Sequence, residues 1–141
     1  MKDYQDWNLL KQKLENSNRA IYFHSREVWW CAIGINVGVE IDGKNKMCER
    51  PVLIVKKFNR QMFWGIPLTS KEKTGLFYQK INHDRGQSWG ALSQLRLLSC
   101  KRLIRKIGMI PAKDFMNTQS AVIALIKIEL PVVGALGGRS P

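Results

Sequence analysis

Three polar segments of the sequence carry side chains that could act together on a phosphate group. They are Glu49–Pro51, Pro67–Ser70, and the set Ser88, Gln94 and Arg96. A fixed guanidinium and a hydroxyl donor can stabilise the negative charge that builds on phosphorus-bound oxygens during substitution. Arg50 and Thr69 are therefore candidates for the chemical step, and Ser70, Ser88, Gln94 and Arg96 are candidates for binding the substrate.

Each candidate also has a purely structural interpretation. Arg50 could pair with a carboxylate, and the hydroxyl groups that follow Pro67 could cap a turn, because Ser and Thr bond to local backbone groups. Strand alternation would place Ser88, Gln94 and Arg96 on one face if no bulge intervenes. For Gln94 and Arg96, a structural polar network or an inter-subunit contact is an equal alternative.

No single residue of the sequence stands out as the base. Arg50 is a poor proton donor, because a guanidinium has a pKa above ~12 and rarely gives up its proton. We assign it charge stabilisation. Glu40, Glu49 and His83 are the candidate bases, with water as a fourth possibility. A lone histidine such as His24 or His83 is more often an ordinary surface or packing residue.

The overall charge favours a polyanionic partner. The chain has 141 residues, with 23 Lys and Arg against 11 Asp and Glu, a formal net charge of +12. Phosphate contacts and counterion release make nucleic acid the first expectation. A membrane surface ranks well behind, because the basic residues do not line one helix face.

Cysteine spacing and the chain's ends predict a cytoplasmic protein without a metal or cofactor. Cys31, Cys48 and Cys100 are odd in number and include no C-x-x-C pair, so neither a disulfide framework nor a zinc site is predicted. The polar start lacks the apolar run of a signal peptide. The apolar stretch 121–138 is interrupted by Lys127, Glu129 and Pro131, so we predict no membrane span.

Short strands with tight turns dominate the central part of the chain. Val28–Ile35 is typical of a buried strand, and Asn59-Arg60 separates two further runs that predict a hairpin. The other predicted strands are Leu76–Ile81, Ser88–Leu98 and the short piece Leu103-Ile104. The polar segment Glu40–Lys46 is expected to form a surface loop that leads into Arg50.

A helix is predicted on each side of this strand-rich region. Trp7, Leu10 and Leu14 recur at helical spacing, and Pro111 suits the first turn of a second helix. The buried stripe of that helix is predicted to contain Phe115, Ala121, Val122, Leu125 and Ile126. We therefore predict an α+β, mainly β fold, with a helical extension over 1–25, a domain over 26–130 and a disordered tail over 131–141.

Several pieces of the sequence together resemble the PemK/MazF family of bacterial toxins. They are Val28–Trp30, Gly34–Gly38, Glu40, Arg50–Val55, Ile66–Ser70, Ser88, Gln94–Arg96, Arg102-Leu103 and Ile107-Gly108. Any one piece is a weak signal, but they occur in the family's order over roughly residues 26 to 110.

The resemblance implies a small curled antiparallel β-barrel of the CcdB/PemK/MazF type and a homodimer. It also implies a metal-independent endoribonuclease that cuts single-stranded RNA, is inhibited by a cognate antitoxin and binds DNA in complex with it. The family's usual catalytic pair matches Arg50 and Thr69. The implied products are a 2′,3′-cyclic phosphate and a 5′-hydroxyl.

One departure and two rival functions accompany this resemblance. Residues Ile41–Glu49 form a longer stretch than the compact family pattern has, which leaves the cleavage specificity open. A barrel that binds RNA or antitoxin without cleaving is one rival. A DNA gyrase poison is the other, but such relatives depend on an aromatic C-terminal end, whereas this sequence finishes in Gly138–Pro141.

Overall fold

The computed structural model describes residues 1–127 of the chain, so the tail predicted over 131–141 lies outside the described residues. Within them, two α-helices accompany seven β-strands, which confirms the predicted α+β, mainly β class. In chain order the elements are α1 (Tyr4–Glu15), β1 (Glu27–Ala32), β2 (Glu49–Lys57), β3 (Met62–Thr69), β4 (Tyr78–His83), β5 (Gly86–Ala91), β6 (Arg96–Ser99), β7 (Leu103–Met109) and α2 (Ala112–Ile126).

The strands form one antiparallel sheet that curls without closing. Its order is β4-β5-β3-β2-β1-β7, and β6 also pairs with β3. The register between β1 and β7 shifts twice, leaving Ile107 and Ile104 as extra residues on β7. Such bulges bend a strand and increase its twist. The predicted curled sheet is confirmed, and the word barrel applies to it only loosely.

Strand β3 changes its partner part-way along its length. Its first half, Met62–Gly65, pairs with β6, whereas Leu68 and Thr69 pair with β5. Pro67, which has no N–H to donate, lies between the two paired stretches. The β4–β5 hairpin therefore joins the rest of the sheet beside Thr69.

The predicted single strand Ser88–Leu98 is wrong. β5 ends at Ala91, a 3₁₀ helix spans Leu92–Gln94, and β6 begins at Arg96. Gly90 pairs with Leu68 and Arg96 pairs with Gly65. The stretch from Gly90 to Arg96 therefore has more residues than the stretch of β3 from Gly65 to Leu68 that it runs beside. The 3₁₀ turn takes up the surplus and buries Leu92 in the core.

Both faces of β2 are buried, in two separate cores. Leu53 and Val55 belong to the core that α2 covers, and Val52 and Ile54 belong to the core on the other face. The predicted stripe of α2 is mostly confirmed, since Val122 is buried and Phe115, Ala121 and Leu125 pack against the first core. Ile126 is 67% exposed, so its predicted burial is wrong. No helix of the described part of the chain is long and apolar enough to cross a membrane.

Helix α1 packs onto the start of the loop that follows β1, which confirms the predicted amphipathic helix. Trp7 is buried in a third cluster with Ala32 and Cys48. Gly34 has φ +92°, and a Cβ there would collide with the Trp7 ring. Glycine is therefore required at this position both by its backbone conformation and by the close approach of the helix.

Candidate active site

Arg50 and Thr69 lie at the same end of two neighbouring strands. Arg50 is near the beginning of β2, Thr69 ends β3, and the antiparallel register pairs Val52 with Pro67. Both side chains are half-buried and line a cavity of about 270 Å³. The structure thus brings together the two residues that the sequence singled out for phosphate chemistry.

Neutral carbonyl groups hold the Arg50 guanidinium. Its Nε donates to the Asp42 backbone oxygen at 2.8 Å, and Nη1 donates to the Leu68 backbone oxygen at 3.3 Å. Arg50 forms no ion pair within residues 1–127. Burial lowers the pKa of Arg50, and the nearby Asp42 opposes this shift. The side chain therefore keeps a positive charge and further N–H donors beside the cavity.

The Thr69 hydroxyl is oriented by the chain just beyond β3. Its Oγ1 accepts a hydrogen bond from the Lys71 backbone N–H at 3.2 Å. This contact uses the oxygen as an acceptor, so the hydroxyl hydrogen can still be donated to a bound group. Ser70 is exposed and lines the same cavity.

His83 and Ser88 form a hydrogen-bonded pair on the cavity wall that the β4–β5 hairpin provides. Their Nε2 and Oγ atoms are 2.8 Å apart, and Ser88 is 7% exposed. Nδ1 of His83 accepts a longer contact of 3.3 Å from the Arg85 N–H, which favours a proton on Nε2. Burial lowers the pKa of His83, with Asp84 opposing and Arg85 adding to the shift. The ring is therefore neutral near pH 7.

Glu49 lines the cavity but both of its carboxylate oxygens are occupied. Arg105 Nη1 and Nη2 donate to Oε1 and Oε2 at 3.1 and 3.2 Å. Glu40 lies elsewhere: it is exposed, accepts a hydrogen bond from the Val37 N–H, and does not line this cavity. Of the three candidate bases, His83 alone lies at the cavity without a charged partner within hydrogen-bond distance.

The predicted shared face of Ser88, Gln94 and Arg96 required an uninterrupted strand, and the 3₁₀ helix Leu92–Gln94 interrupts it. Gln94 accepts from the Ile41 N–H and donates to the Val39 oxygen, so it holds the loop after β1. Arg96 lines a different hollow, with Glu40 and Gln94.

A second groove, which His83 does not line, adjoins Arg50 and Thr69. Gln94 contributes to it, together with Lys44, Lys71, Lys73 and Tyr78, and its volume is about 320 Å³. Arg50 and Thr69 therefore lie between two openings, each of which could hold part of a polymeric ligand.

Comparison with known families decides what kind of protein this is. The family described as PemK-like, MazF-like toxin of type II toxin-antitoxin system matches residues 24–126. The chain belongs to the PemK/MazF family of type II toxins. Comparison with curated protein sequences gives no match.

Solved structures have the same fold as this PemK/MazF toxin. An endoribonuclease in complex with its cognate antitoxin, from a mycobacterial species, has a TM-score of 0.60 at 14% identity and covers 78% of this chain and 100% of its own. MazF from Deinococcus radiodurans has a TM-score of 0.60 at 16% identity, covering 74% and 96%. Mycobacterium tuberculosis toxin MazF-mt6 has a TM-score of 0.56 at 14% identity, covering 74% and 100%.

The sequence reasoning missed several basic residues around the site of this PemK/MazF toxin. Lys44 and Arg85 line the cavity, and Lys71 and Lys73 line the adjoining groove. The lysines after Thr69 could have been noticed as charges close to a catalytic candidate. In the described part of the chain, no three His, Cys, Asp or Glu side chains group as potential metal ligands.

Proposed function

We propose that this PemK/MazF toxin is an endoribonuclease that cleaves single-stranded RNA by attack of a ribose 2′-hydroxyl on the adjacent phosphate, without a metal. The observation that carries the proposal is the convergence of Arg50 and Thr69 on one cavity, where Arg50 forms no ion pair with any of the described residues. A guanidinium without a direct ion-pair partner is suited to a phosphate ligand.

Arg50 and Thr69 would stabilise the transition state. As the 2′-oxygen bonds to phosphorus, negative charge builds on the non-bridging oxygens, where the free N–H donors of Arg50 and the Thr69 hydroxyl can bind it. The two backbone carbonyls that hold Arg50 limit the movement of the guanidinium. Charge stabilisation by such fixed groups needs no reorganisation during the reaction.

We propose His83 as the base that removes the 2′-hydroxyl proton. Its lowered pKa keeps the ring neutral near pH 7, and a hydroxyl rather than a carboxylate is its partner at Nε2. To accept the proton at Nε2, the ring adopts the other tautomer and gives up the weak 3.3 Å contact from Arg85. The bond from phosphorus to the 5′-oxygen then breaks, the leaving oxygen takes a proton from water, and His83 returns its own proton to the solvent, which gives a 2′,3′-cyclic phosphate and a 5′-hydroxyl.

The two openings beside the centre would hold the nucleotides on either side of the cut. Lys71 and Lys73 lie in one, and Arg85 with Ser70 and Ser88 lies in the other. Single-stranded RNA can follow such a groove through phosphate contacts. We further propose a cognate antitoxin as the inhibitory partner, a homodimer as the working form, DNA binding in complex with the antitoxin, and a cytoplasmic location.

The experiment is cleavage of a single-stranded RNA by the purified protein in EDTA, with mapping of the new 5′ ends and analysis of the 3′ ends. We expect cuts at a short sequence, 5′-hydroxyl ends and cyclic phosphates. Arg50→Ala is expected to reduce kcat/KM by about three orders of magnitude. Arg60→Ala is the matched control, because Arg60 lies exposed in the turn between β2 and β3.

Three results would contradict the proposal. RNA binding without any product over hours would indicate a non-catalytic RNA-binding barrel. Full activity in both Arg50→Ala and Thr69→Val, with unchanged thermal unfolding, would show that the chemistry lies elsewhere. Poisoning of DNA gyrase without RNA cleavage would favour the other rival function.

A further inference from the structure

The backbone oxygen that holds Arg50 belongs to a residue whose own side chain is bound on two sides. Asp42 Oδ1 accepts a hydrogen bond from the Asn36 N–H at 2.6 Å, and Oδ2 forms an ion pair with Lys2 Nζ at 3.2 Å. The Asp42 carbonyl meanwhile accepts from Arg50 Nε at 2.8 Å. The position of Arg50 therefore depends on how firmly Asp42 is held.

The residues before α1 provide part of that hold. Lys2 Nζ also donates to the Asn36 backbone oxygen at 2.7 Å, and the Tyr4 hydroxyl donates to the same oxygen at 3.0 Å. Lys2 and Asp42 are both about one-third exposed or less. These contacts tie the beginning of the chain to both ends of the loop between Asn36 and Asp42.

Helix α1 fixes the direction from which Lys2 approaches. The Trp7 ring is buried against Gly34 and Cys48, and the Arg102 guanidinium lies over it at 5.7 Å while donating to the Ala32 oxygen at 3.0 Å. Gly34 in turn exchanges backbone hydrogen bonds with the loop, accepting from Gly43 N–H at 2.8 Å and donating to the Cys48 oxygen at 3.1 Å. The helix and the loop that holds Arg50 thus form one packed unit.

We propose that Lys2 and Asp42 are positioning residues for Arg50, and that the N-terminal segment, residues 1–15, braces the catalytic arginine from outside the matched domain. The family match begins at residue 24, so this brace is an addition to it. The inference rests on the proposed function of Arg50. It differs from the simpler view that α1 only covers apolar surface, because covering apolar surface does not require the ion pair between Lys2 and Asp42.

The test replaces Lys2 in the full chain and measures kcat and KM for RNA separately. Lys2→Gln is expected to lower kcat about tenfold with KM within about twofold, because small displacements of a catalytic group reduce the rate more than binding. Lys2→Arg should restore most of the activity, since it keeps the charge and the donors. Lys13→Gln removes the same charge from the exposed face of α1 and should leave kcat unchanged.

A double-mutant cycle tests whether Lys2 and Asp42 act together. Asp42→Asn should lower kcat about as much as Lys2→Gln does, and the double variant should show little additional loss. Thermal unfolding of every variant should stay close to that of the wild type. The proposal would be overturned if the kcat losses of the two single variants added up in the double variant. It would also be overturned if the loss of kcat in each variant were proportional to its loss of thermal stability.

A second readout does not depend on catalysis. The Arg50 Nε–H donates to Asp42 in the free protein, so its hydrogen exchange in NMR spectra reports this bond directly. We expect exchange to become several-fold faster in Lys2→Gln and to stay unchanged in Lys13→Gln. Unchanged exchange in Lys2→Gln would refute the brace even if RNA is cleaved. If the wild type cleaves no RNA, the proposed function fails while this measurement still decides the brace.

Discussion

Glu49 and Arg50 are neighbours on β2, but their charged side chains have different kinds of hydrogen-bond partner. Glu49 is 7% exposed, and both of its oxygens accept hydrogen bonds from Arg105. Arg50 is half-buried, and among residues 1–127 its side chain donates hydrogen bonds only to the backbone oxygens of Asp42 and Leu68. One charge is paired with an opposite charge, and the other is hydrogen-bonded to neutral oxygens without an ion-pair partner among the described residues.

This difference indicates which charged side chain is available for a substrate. A carboxylate with a bidentate guanidinium partner has already exchanged water for a protein ligand, so it contributes mainly to stability. A guanidinium bound by neutral oxygens retains its attraction for an anion.

Arg50→Lys should abolish most activity although it keeps the charge. A lysine cannot bind two carbonyls and still present a planar pair of donors to phosphate, so we expect kcat/KM to fall by about two to three orders of magnitude. The comparison is Arg105→Lys, assayed with the same RNA, which should stay within about threefold of wild type. Equal losses in the two variants would remove the distinction between them.

Removal of His83 should change the pH profile of cleavage. Only neutral His83 can accept a proton, so kcat/KM of the wild type should fall with decreasing pH in the range below about 6.5, since burial lowers the His83 pKa from that ordinary value. His83→Asn should lower kcat/KM about tenfold to a hundredfold and remove this acidic limb. Circular dichroism at each pH checks that the protein stays folded. An acidic limb that persists in His83→Asn would assign the base to another group.

Glu49→Gln should affect stability more than catalysis. Arg105 is 54% exposed and can turn to water, so the loss of its partner should lower the free energy of unfolding by about 1 to 2 kcal/mol. Urea unfolding measures this, and kcat of the folded enzyme should stay within about twofold. A large loss of kcat at unchanged stability would identify Glu49 as the base.

Lys71→Gln should give the smallest effect. Lys71 is exposed in the groove beside Thr69 and would contact a phosphate away from the bond that breaks. We expect KM to rise about twofold to threefold, kcat to stay the same, and the slope of log KM against log salt concentration to decrease by about 1. A fall in kcat would mean that Lys71 acts at the reacting phosphate.

The sequence predicted the elements whose signals are local. The helix around Trp7, the hairpin around Asn59-Arg60 and the helix after Pro111 are confirmed, because each depends on periodicity and turn residues within one segment. The run from Ser88 to Leu98 was misjudged, because its 3₁₀ turn follows from how two segments share the edge of β3. Alternation within one segment contains no information on such a shared edge.

The candidate site likewise contains some residues with a local sequence signal and others without one. Arg50 and Thr69 were found through motifs, and the structure places them at one cavity. The pairing of His83 with Ser88, and of Glu49 with Arg105, depends on registers between strands far apart in sequence. Lys2 could not be related to Arg50 from the sequence, because their link passes through the backbone and side chain of a loop residue.

The change of partner along β3 also affects local unfolding. The β4–β5 hairpin pairs with β3 only at Leu68 and Thr69, whereas β1 and β2 are paired over most of their lengths. Opening of that junction would separate His83 from Arg50 and withdraw Ile81 from the core that α2 covers, but the core around Val52 and Ile54 contains no residue of the hairpin. Such opening should therefore cost less than global unfolding. A polyanion bound across the junction would link the two parts and oppose this opening. Amide exchange in β4 and β5 is therefore expected to slow on ligand binding, and exchange in β1 and β2 to change little.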